Sequence, residues 1–182
     1  VRERGFDPDH TVRRHVERAV AQYGTVVVTM HLGAEGPSAQ RTKDAVERFL
    51  GGNRGNPVGF ANAAFDGGAT LVVGHGPHVL RAGEWRDDRL TLYSLGNLLT
   101  YGPFKLREPT DRGVVACVTI DSARHVTSAE LRPTMQKWPG VLEPDRDARR
   151  LIIACGDAEG LQRPRPRGVS LPAHNQRLDV AV

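Results

Sequence analysis

The stretch Leu71–Asn97, LVVGHGPHVLRAGEWRDDRLTLYSLGN, contains the pattern that decides the fold. It begins with a short apolar run, Leu71–Val73, which predicts a buried strand because it is brief and rich in β-branched residues. A glycine-rich loop follows, and it carries two histidines three positions apart, His75 and His78. A predicted hairpin then leads to a second small-residue loop, SLGN. We therefore expect a strand whose carboxyl end opens into a loop that carries chemistry.

A second apolar run upstream has the same design. Thr25–Met30 (TVVVTM) is short and β-branched, which predicts a strand buried on both faces. It ends at His31, which opens the glycine-containing loop HLGAEG. Ligand sites on parallel sheets lie at the carboxyl ends of strands. We therefore expect His31 and His75 at one edge of a sheet.

The segments around these strands predict a largely parallel sheet. Helical spacing and helix-end signals predict three helices: Thr11–Tyr23, Ala39–Leu50 with Ser38 as its N-cap, and Pro57–Phe65. The order helix, strand, helix, helix, strand requires crossover connections, which join parallel strands.

The second half of the chain changes character. It predicts two hairpins, Glu84–Arg86 with Arg89–Tyr93 and Gly113–Asp121 with His125–Leu131, then a helix over Pro144–Ala154. Beyond Gly156 little periodicity remains. We therefore predict one domain over residues 1–156 and a loop or disordered tail over residues 157–182.

Composition narrows the class of protein. Of 182 residues, 39% are hydrophobic and 25% charged, as in soluble globular proteins. The net charge of +4 comes from scattered arginines, so we predict ordinary surface and no nucleic-acid partner. Neither a signal peptide nor an apolar run of membrane-spanning length is visible, although the first residue is Val1. Cys117 and Cys155 lie in apolar contexts and are predicted to be buried thiols.

The three strand-end and loop histidines are the candidate metal ligands. Neutral imidazole is the commonest protein ligand for transition metals, so His31, His75 and His78 are predicted to bind a divalent ion. The alternative is a hydrogen-bonded loop in which these rings have a structural role.

Three polar residues near the histidines have more than one interpretation. Glu35 could bind metal, orient a histidine or form a salt bridge. Asn97 could donate to a substrate oxyanion, orient a ligand, or occupy a left-handed turn position. Arg54 could bind an anionic group or belong to a surface turn before a helix.

Three segments together resemble a known family. HLGAE at 31–35, GHGPHV at 74–79 and YSLGN at 93–97 are similar, in order and spacing, to the bacterial capsule-synthesis CapA family. These are poly-γ-glutamate biosynthesis proteins related to calcineurin-like metallophosphoesterases, and the similarity spans about residues 11–121. The resemblance implies an α/β fold, a metallophosphoesterase-like sandwich of two mixed β-sheets flanked by helices, of which this chain holds the C-terminal portion.

The resemblance also implies a site. His31, His75 and His78 match late metal ligands for one or two ions of Mn, Fe or Zn, while Glu35 and Asn97 match motif positions assigned here as catalytic. The family's opening strand with its metal-bridging aspartate is not in this chain. The resemblance therefore implies an N-terminally incomplete domain, and we expect the chain to be either a fragment or a degenerate member of the family.

The implied function is biosynthesis of capsule, poly-γ-glutamate or another cell-envelope polymer. The resemblance implies a metal-dependent phosphoesterase-type site, a polyanionic polymer or phosphoester substrate, membrane partners in capsule synthesis, and association with the cell envelope. The alternative is a non-catalytic accessory or scaffold subunit, so whether the protein is an enzyme stays open.

Overall fold

The computed structural model describes residues 8–100, 106–138, 140–145 and 179–180. Within these residues the chain forms two helices and ten strands. The elements are α1 (Pro8–Tyr23), β1 (Val27–His31), β2 (Arg48–Phe49), β3 (Gly52–Asn53), α2 (Pro57–Asp66), β4 (Leu71–His75), β5 (Gly83–Arg86), β6 (Arg89–Leu92), β7 (Arg112–Ile120), β8 (Val126–Lys137), β9 (Val141–Pro144) and β10 (Asp179–Val180).

The first sheet has the strand order β1-β4-β6-β5. β1, β4 and β6 run parallel, and β5 pairs antiparallel with β6 in the predicted hairpin. Along β1 and β4 the register runs from Val27 opposite Leu71 to His31 opposite His75. The parallel pairing expected from the order of elements is therefore present, in a mixed sheet.

The second sheet is built on the long hairpin of β7 and β8. β9 and β10 also pair with β8, and all three pairings are antiparallel. The architecture is the predicted α/β sandwich, with a mixed first sheet and, in the described part of the chain, an antiparallel second sheet.

Two hydrophobic cores lie on the two faces of the first sheet. Successive residues of a strand point to opposite faces, so Leu71 joins one core and Val72 the other. The first core packs the two sheets together and contains Leu71, Leu80, Trp85, Leu90, Leu92, Val114, Val126, Ala129 and Leu131. The second packs the helices on the first sheet and contains Val16, Met30, Val58, Ala61, Ala64, Phe65, Ala69, Val72 and Tyr93.

The start of α2 forms as its sequence predicts. Asn56 is the N-cap, and its side-chain oxygen accepts hydrogen bonds from the backbone N–H groups of Val58 and Gly59 at 3.1 and 3.0 Å. Pro57 occupies the first helical position, where no intrahelical hydrogen bond is needed. The predicted helix over Pro57–Phe65 is confirmed.

The predicted helix over Ala39–Leu50 is wrong. This segment forms turns and the short β2–β3 hairpin instead. The reason is tertiary: the Glu47 carboxylate is buried against Arg81 and against the backbone of the loop that follows β1. The segment is rich in helix-forming residues, but helix propensity is a small preference that a buried ion pair needing this backbone path overrides.

Some predictions of burial and structure are also corrected. β1 is not buried on both faces, because it lies at the edge of the sheet and Val27 is 49% exposed. Cys117 is an exposed free thiol, because its side chain points to the outer face of β7. Pro144 belongs to β9 rather than to a helix, and residues 146–154 of that predicted helix lie outside the described residues.

The domain boundary at residue 156 stays a prediction, since residues 146–178 lie outside the described part of the chain. Within the predicted tail, Asp179 and Val180 pair with Glu130 and Ala129 of β8. Among the described residues, neither helix has the length and apolar character to cross a membrane.

Candidate functional site

His31 and His75 lie side by side at the carboxyl edge of the first sheet. Each is the last residue of its strand, and the two are opposite one another in the parallel register. Residues in register on parallel strands share a face, so both imidazoles project from the same side, and both are exposed. The backbone N–H of Leu32 donates to the carbonyl of His75 at 3.1 Å and extends the pairing past the strand ends.

Gly76 lets the ring of His31 pack against the loop after β4. A Cβ at Gly76 would lie 3.0 Å from His31 Cδ2 and 3.2 Å from its Nε2. Gly76 also has φ +112°, a conformation that side chains with a Cβ rarely adopt. The backbone conformation therefore favours glycine beside the histidine pair, and a Cβ there would also have to displace the His31 ring slightly.

His78 is turned toward Asn97 of the SLGN loop. Its Nδ1 and the Asn97 Oδ1 are 2.8 Å apart. The Asn97 amide nitrogen donates to the carbonyls of His78 and Thr110 at 3.3 and 2.8 Å, which fixes Oδ1 as the acceptor. Nδ1 therefore carries the proton, and in the neutral ring the lone pair is on Nε2.

Asn97 does not occupy the left-handed turn position that was one of its predicted roles. Asn97 is only 5% exposed and is absent from the described residues with positive φ, so it is not a left-handed turn residue. His78 adopts that conformation instead, with φ 58°. Asn97 orients the histidine loop by hydrogen bonds, which is one of the roles that its sequence position allowed.

Glu35 is directed toward Arg54 on the neighbouring loop. The Arg54 Nη2 donates to the Glu35 Oε1, and the Arg54 Nε donates to the carbonyl of Gly33 at 3.4 Å. Both side chains are partly buried, with 29% and 22% exposure. Of the interpretations open to Glu35, the salt bridge is the contact that forms.

A buried ion pair that the sequence analysis missed lies beneath these loops. Arg81 donates to both carboxylate oxygens of Glu47, at 3.0 Å from Nη1 and 2.8 Å from Nη2. It also donates to the carbonyls of Ala39 and Ala34, at 2.7 and 3.3 Å. The available signal was an isolated charge in an otherwise apolar run, VLRAG, which requires a buried partner.

The SLGN loop is attached to the second sheet. The Asn97 N–H donates to the carbonyl of Arg112 at 3.2 Å, and the Arg112 guanidinium pairs with Asp145 and Asp111. Burial raises the pKa of Asp111, more than the neighbouring guanidinium lowers it. The loop that orients His78 is thus supported by a partly buried charged cluster.

Tyr93 directly follows β6 and contacts Glu84 on the neighbouring strand β5. Tyr93 is 1% exposed and donates its hydroxyl proton to Glu84. Burial, and after it this hydrogen bond, raises the pKa of the Tyr93 phenol. The residue before the SLGN loop is therefore held as a neutral donor.

The structure brings four of the five predicted site residues together as two pairs, His31 beside His75 and His78 hydrogen-bonded to Asn97, while Glu35 pairs with Arg54. Among the described residues, no three His, Cys, Asp or Glu side chains form a group that could hold a metal ion. The site therefore presents two neighbouring exposed imidazoles, and the described side chains do not complete a metal coordination set.

The fold and these residues define a class: an α/β sandwich protein with a histidine-bearing site at the carboxyl edge of its mixed sheet. The family model described as "Bacterial capsule synthesis protein PGA_cap" matches residues 3–101, which is more than half of the 182 residues. The chain therefore belongs to this family of bacterial capsule synthesis proteins, as the three sequence motifs predicted. No curated protein matches the chain.

Proposed function

We propose that His31 and His75 supply imidazole ligands to a divalent metal site that acts on phosphoesters during capsule polymer synthesis. The observation that carries this proposal is their in-register placement at the carboxyl ends of adjacent parallel strands. Both rings are exposed, and imidazole suits Mn, Fe and Zn. When bound, one or two such ions would polarise a phosphoryl oxygen and lower the pKa of a water molecule.

The contribution of the chain itself is orientation and charge. His78 is the third proposed ligand; its ring is hydrogen-bonded to the buried amide of Asn97 and is not grouped with His31 and His75 in the described residues, so its loop would move toward the pair when metal binds. A histidine whose Nδ1 donates to an oxygen presents Nε2 for coordination, and such outer partners orient metal-bound histidines in general. Asn97 therefore acts in this proposal by positioning His78.

The proposed substrate is a polyanion, either a phosphoester or a carboxylate-rich polymer such as poly-γ-glutamate. Arg54 supports this proposal because its partly exposed guanidinium lies on the loop that contacts Gly33, two residues after His31. It already donates to one carboxylate, that of Glu35, and a guanidinium can bind a carboxylate or phosphate of a substrate in the same way. An incoming anion would replace the Glu35 carboxylate at the Arg54 guanidinium. The proposed protein partners are membrane proteins of capsule synthesis at the cell envelope.

A non-catalytic accessory or scaffold role is the second candidate. The observation that favours it is that Glu35, His78 and Asn97 are all engaged in contacts within the chain. In that case these residues hold the loops in shape, and the family fold is retained for binding alone.

The deciding experiment is elemental analysis of the purified full chain. We compare the wild type with the double variant His31→Ala/His75→Ala and with His125→Ala, a control on the β7–β8 turn where the ring pairs with Asp88 and Asp121. The proposal expects roughly one to two equivalents of metal in the wild type and the control, and loss of metal in the double variant. A folded wild type without metal, or equal metal in all three proteins, contradicts it.

Hydrolysis of a generic aryl phosphate by the metal-loaded chain then separates the two candidates. Activity that disappears in His31→Ala/His75→Ala supports the phosphoesterase-type site. Bound metal without hydrolysis favours the accessory role.

A further inference from the structure

We infer that the buried ion pair of Arg81 and Glu47 is the positioning device that holds the two histidine loops at a fixed spacing. The inference concerns the site of the proposed function, and it rests on that function only for what the loops do. Arg81 and Glu47 are positioning residues, since neither lies at the exposed strand ends. Nothing else described in the chain connects the two loops through buried side chains of opposite charge.

The pair joins the loop after β4 to the loop after β1. Arg81 lies six residues after His75, and Ala34 lies three residues after His31. The Arg81 Nη2 donates to the Ala34 carbonyl at 3.3 Å, while the Ala34 N–H donates to the Glu47 Oε2 at 2.7 Å. Both polar backbone groups of Ala34 are therefore bound by this one ion pair.

The ion pair is buried and has a fixed geometry. The side chains of Arg81 and Glu47 are 0% and 7% exposed. A planar guanidinium that grips both oxygens of a carboxylate fixes angle as well as distance. Two apolar side chains of similar volume could fill the same space without burying a charge. They could not bind the backbone of Ala34 and Ala39, so the gain from the charged pair is geometry.

The loop backbone is shaped to fit the pair. Gly33 has φ +98°, and a Cβ there would lie 2.8 Å from the Arg81 Nη1. On either side of Ala34, the Gly33 N–H donates to the Arg54 carbonyl at 2.8 Å, and the Gly36 N–H donates to the Pro77 carbonyl at 3.0 Å. The last contact joins the His31 loop directly to the His75 loop. This hydrogen bond depends on the same distance between the loops that the ion pair fixes.

The test replaces the pair by apolar residues of similar size in the full chain. The variant is Glu47→Leu/Arg81→Met, and the matched control is Glu17→Leu/Arg13→Met, which removes an exposed ion pair on α1. The readout is amide hydrogen exchange at Ala34 and Gly36 together with the imidazole NMR shifts of His31 and His75, in protein shown to be folded by circular dichroism. We expect at least tenfold faster exchange at Ala34 and Gly36 and altered imidazole shifts in the buried-pair variant, with neither change in the control.

A second variant guards against a trivial loss of folding. Arg81→Lys keeps the charge but cannot grip both carboxylate oxygens. We expect it to fold and to show faster exchange at Ala34 with altered shifts of His31. Unchanged exchange and unchanged imidazole shifts in both folded variants would overturn the inference.

Titration with Zn²⁺ alone connects the inference to the proposed site. If the wild type binds Zn²⁺, we expect at least tenfold weaker binding in Glu47→Leu/Arg81→Met and equal binding in the control; equal binding in all three would overturn the inference. If the wild type binds no Zn²⁺ while Ala34 loses its protection in the variant, the positioning role stands and the proposed metal site fails.

Discussion

His31 and His75 are opposite one another in the register of two adjacent parallel strands, and each is the last residue of its strand. No sequence motif contains both residues, which are more than forty positions apart. The two residues are neighbours because the two strands are parallel, of equal length and paired in register from their first residue to their last. The candidate site of this capsule-synthesis family member is therefore a property of the strand pairing.

Gly76→Ala is expected to be more destabilising than Gly36→Ala. Both glycines have positive φ, 112° and 94°, so each substitution strains the backbone by about 1–3 kcal/mol. Only at Gly76 does the new Cβ also meet another residue, 3.0 Å from His31 Cδ2, whereas nothing lies within 4 Å at Gly36. Urea unfolding of the two variants measures the difference, and equal losses would show that the His31 contact yields without cost.

Asn97→Ala is expected to lower the free energy of unfolding by about 1–3 kcal/mol, because it leaves partly buried partners of Asn97 without a hydrogen bond. The amide nitrogen now serves the carbonyls of His78 and Thr110, and the amide oxygen serves the His78 ring. The control is Asn53→Ala, which removes an exposed bond to the Gly55 N–H and is expected to cost less than about 1 kcal/mol. Urea unfolding measures both, and a loss at Asn97 no larger than at Asn53 would argue against its anchoring role.

Tyr93 predicts a loss of stability at alkaline pH. Burial raises its pKa above the ordinary 10.0, so the folded state keeps the phenol proton at a pH where the unfolded state releases it. The folded state then binds more protons, and the free energy of unfolding falls above about pH 10 by up to about 1.4 kcal/mol per pH unit. Below pH 10 this phenol adds no pH dependence.

Denaturation between pH 9 and 11.5 checks this prediction with two variants. Tyr93→Phe is expected to remove that part of the slope, while Tyr23→Phe leaves it unchanged because Tyr23 is 72% exposed. Identical slopes in the wild type and Tyr93→Phe would mean that the phenol ionises equally in both states.

Arg81→Met alone is expected to destabilise the fold by about 3–5 kcal/mol, because the Glu47 carboxylate is left buried without its partner. In Glu47→Leu/Arg81→Met part of this loss is expected to be recovered, since neither charge then remains buried, while the backbone groups of Ala34 and Ala39 still lose their partners. Thermal or urea unfolding of the two single variants and the double variant gives the coupling energy. Strictly additive losses would show that the two side chains do not interact.

Local signals in the sequence determined several elements of this protein. The first-turn proline of α2 is read directly from Pro57, and the β5–β6 hairpin from Asp87-Asp88 between two short runs. The two apolar runs that end in His31 and His75 predicted the two strands β1 and β4. These features depend on neighbours in the chain, so the chain alone specifies them.

The tertiary structure decided what depends on distant partners. The segment Ala39–Leu50 has helical spacing but becomes turns and a hairpin, because Glu47 is needed beside Arg81, 34 positions away. Pattern alone also left the roles of Glu35, His78 and Asn97 open, since Arg54 and the second sheet supply their partners. A sequence pattern can indicate that a polar side chain is buried and therefore needs a hydrogen-bond partner. Only the packed fold determines which residue that partner is.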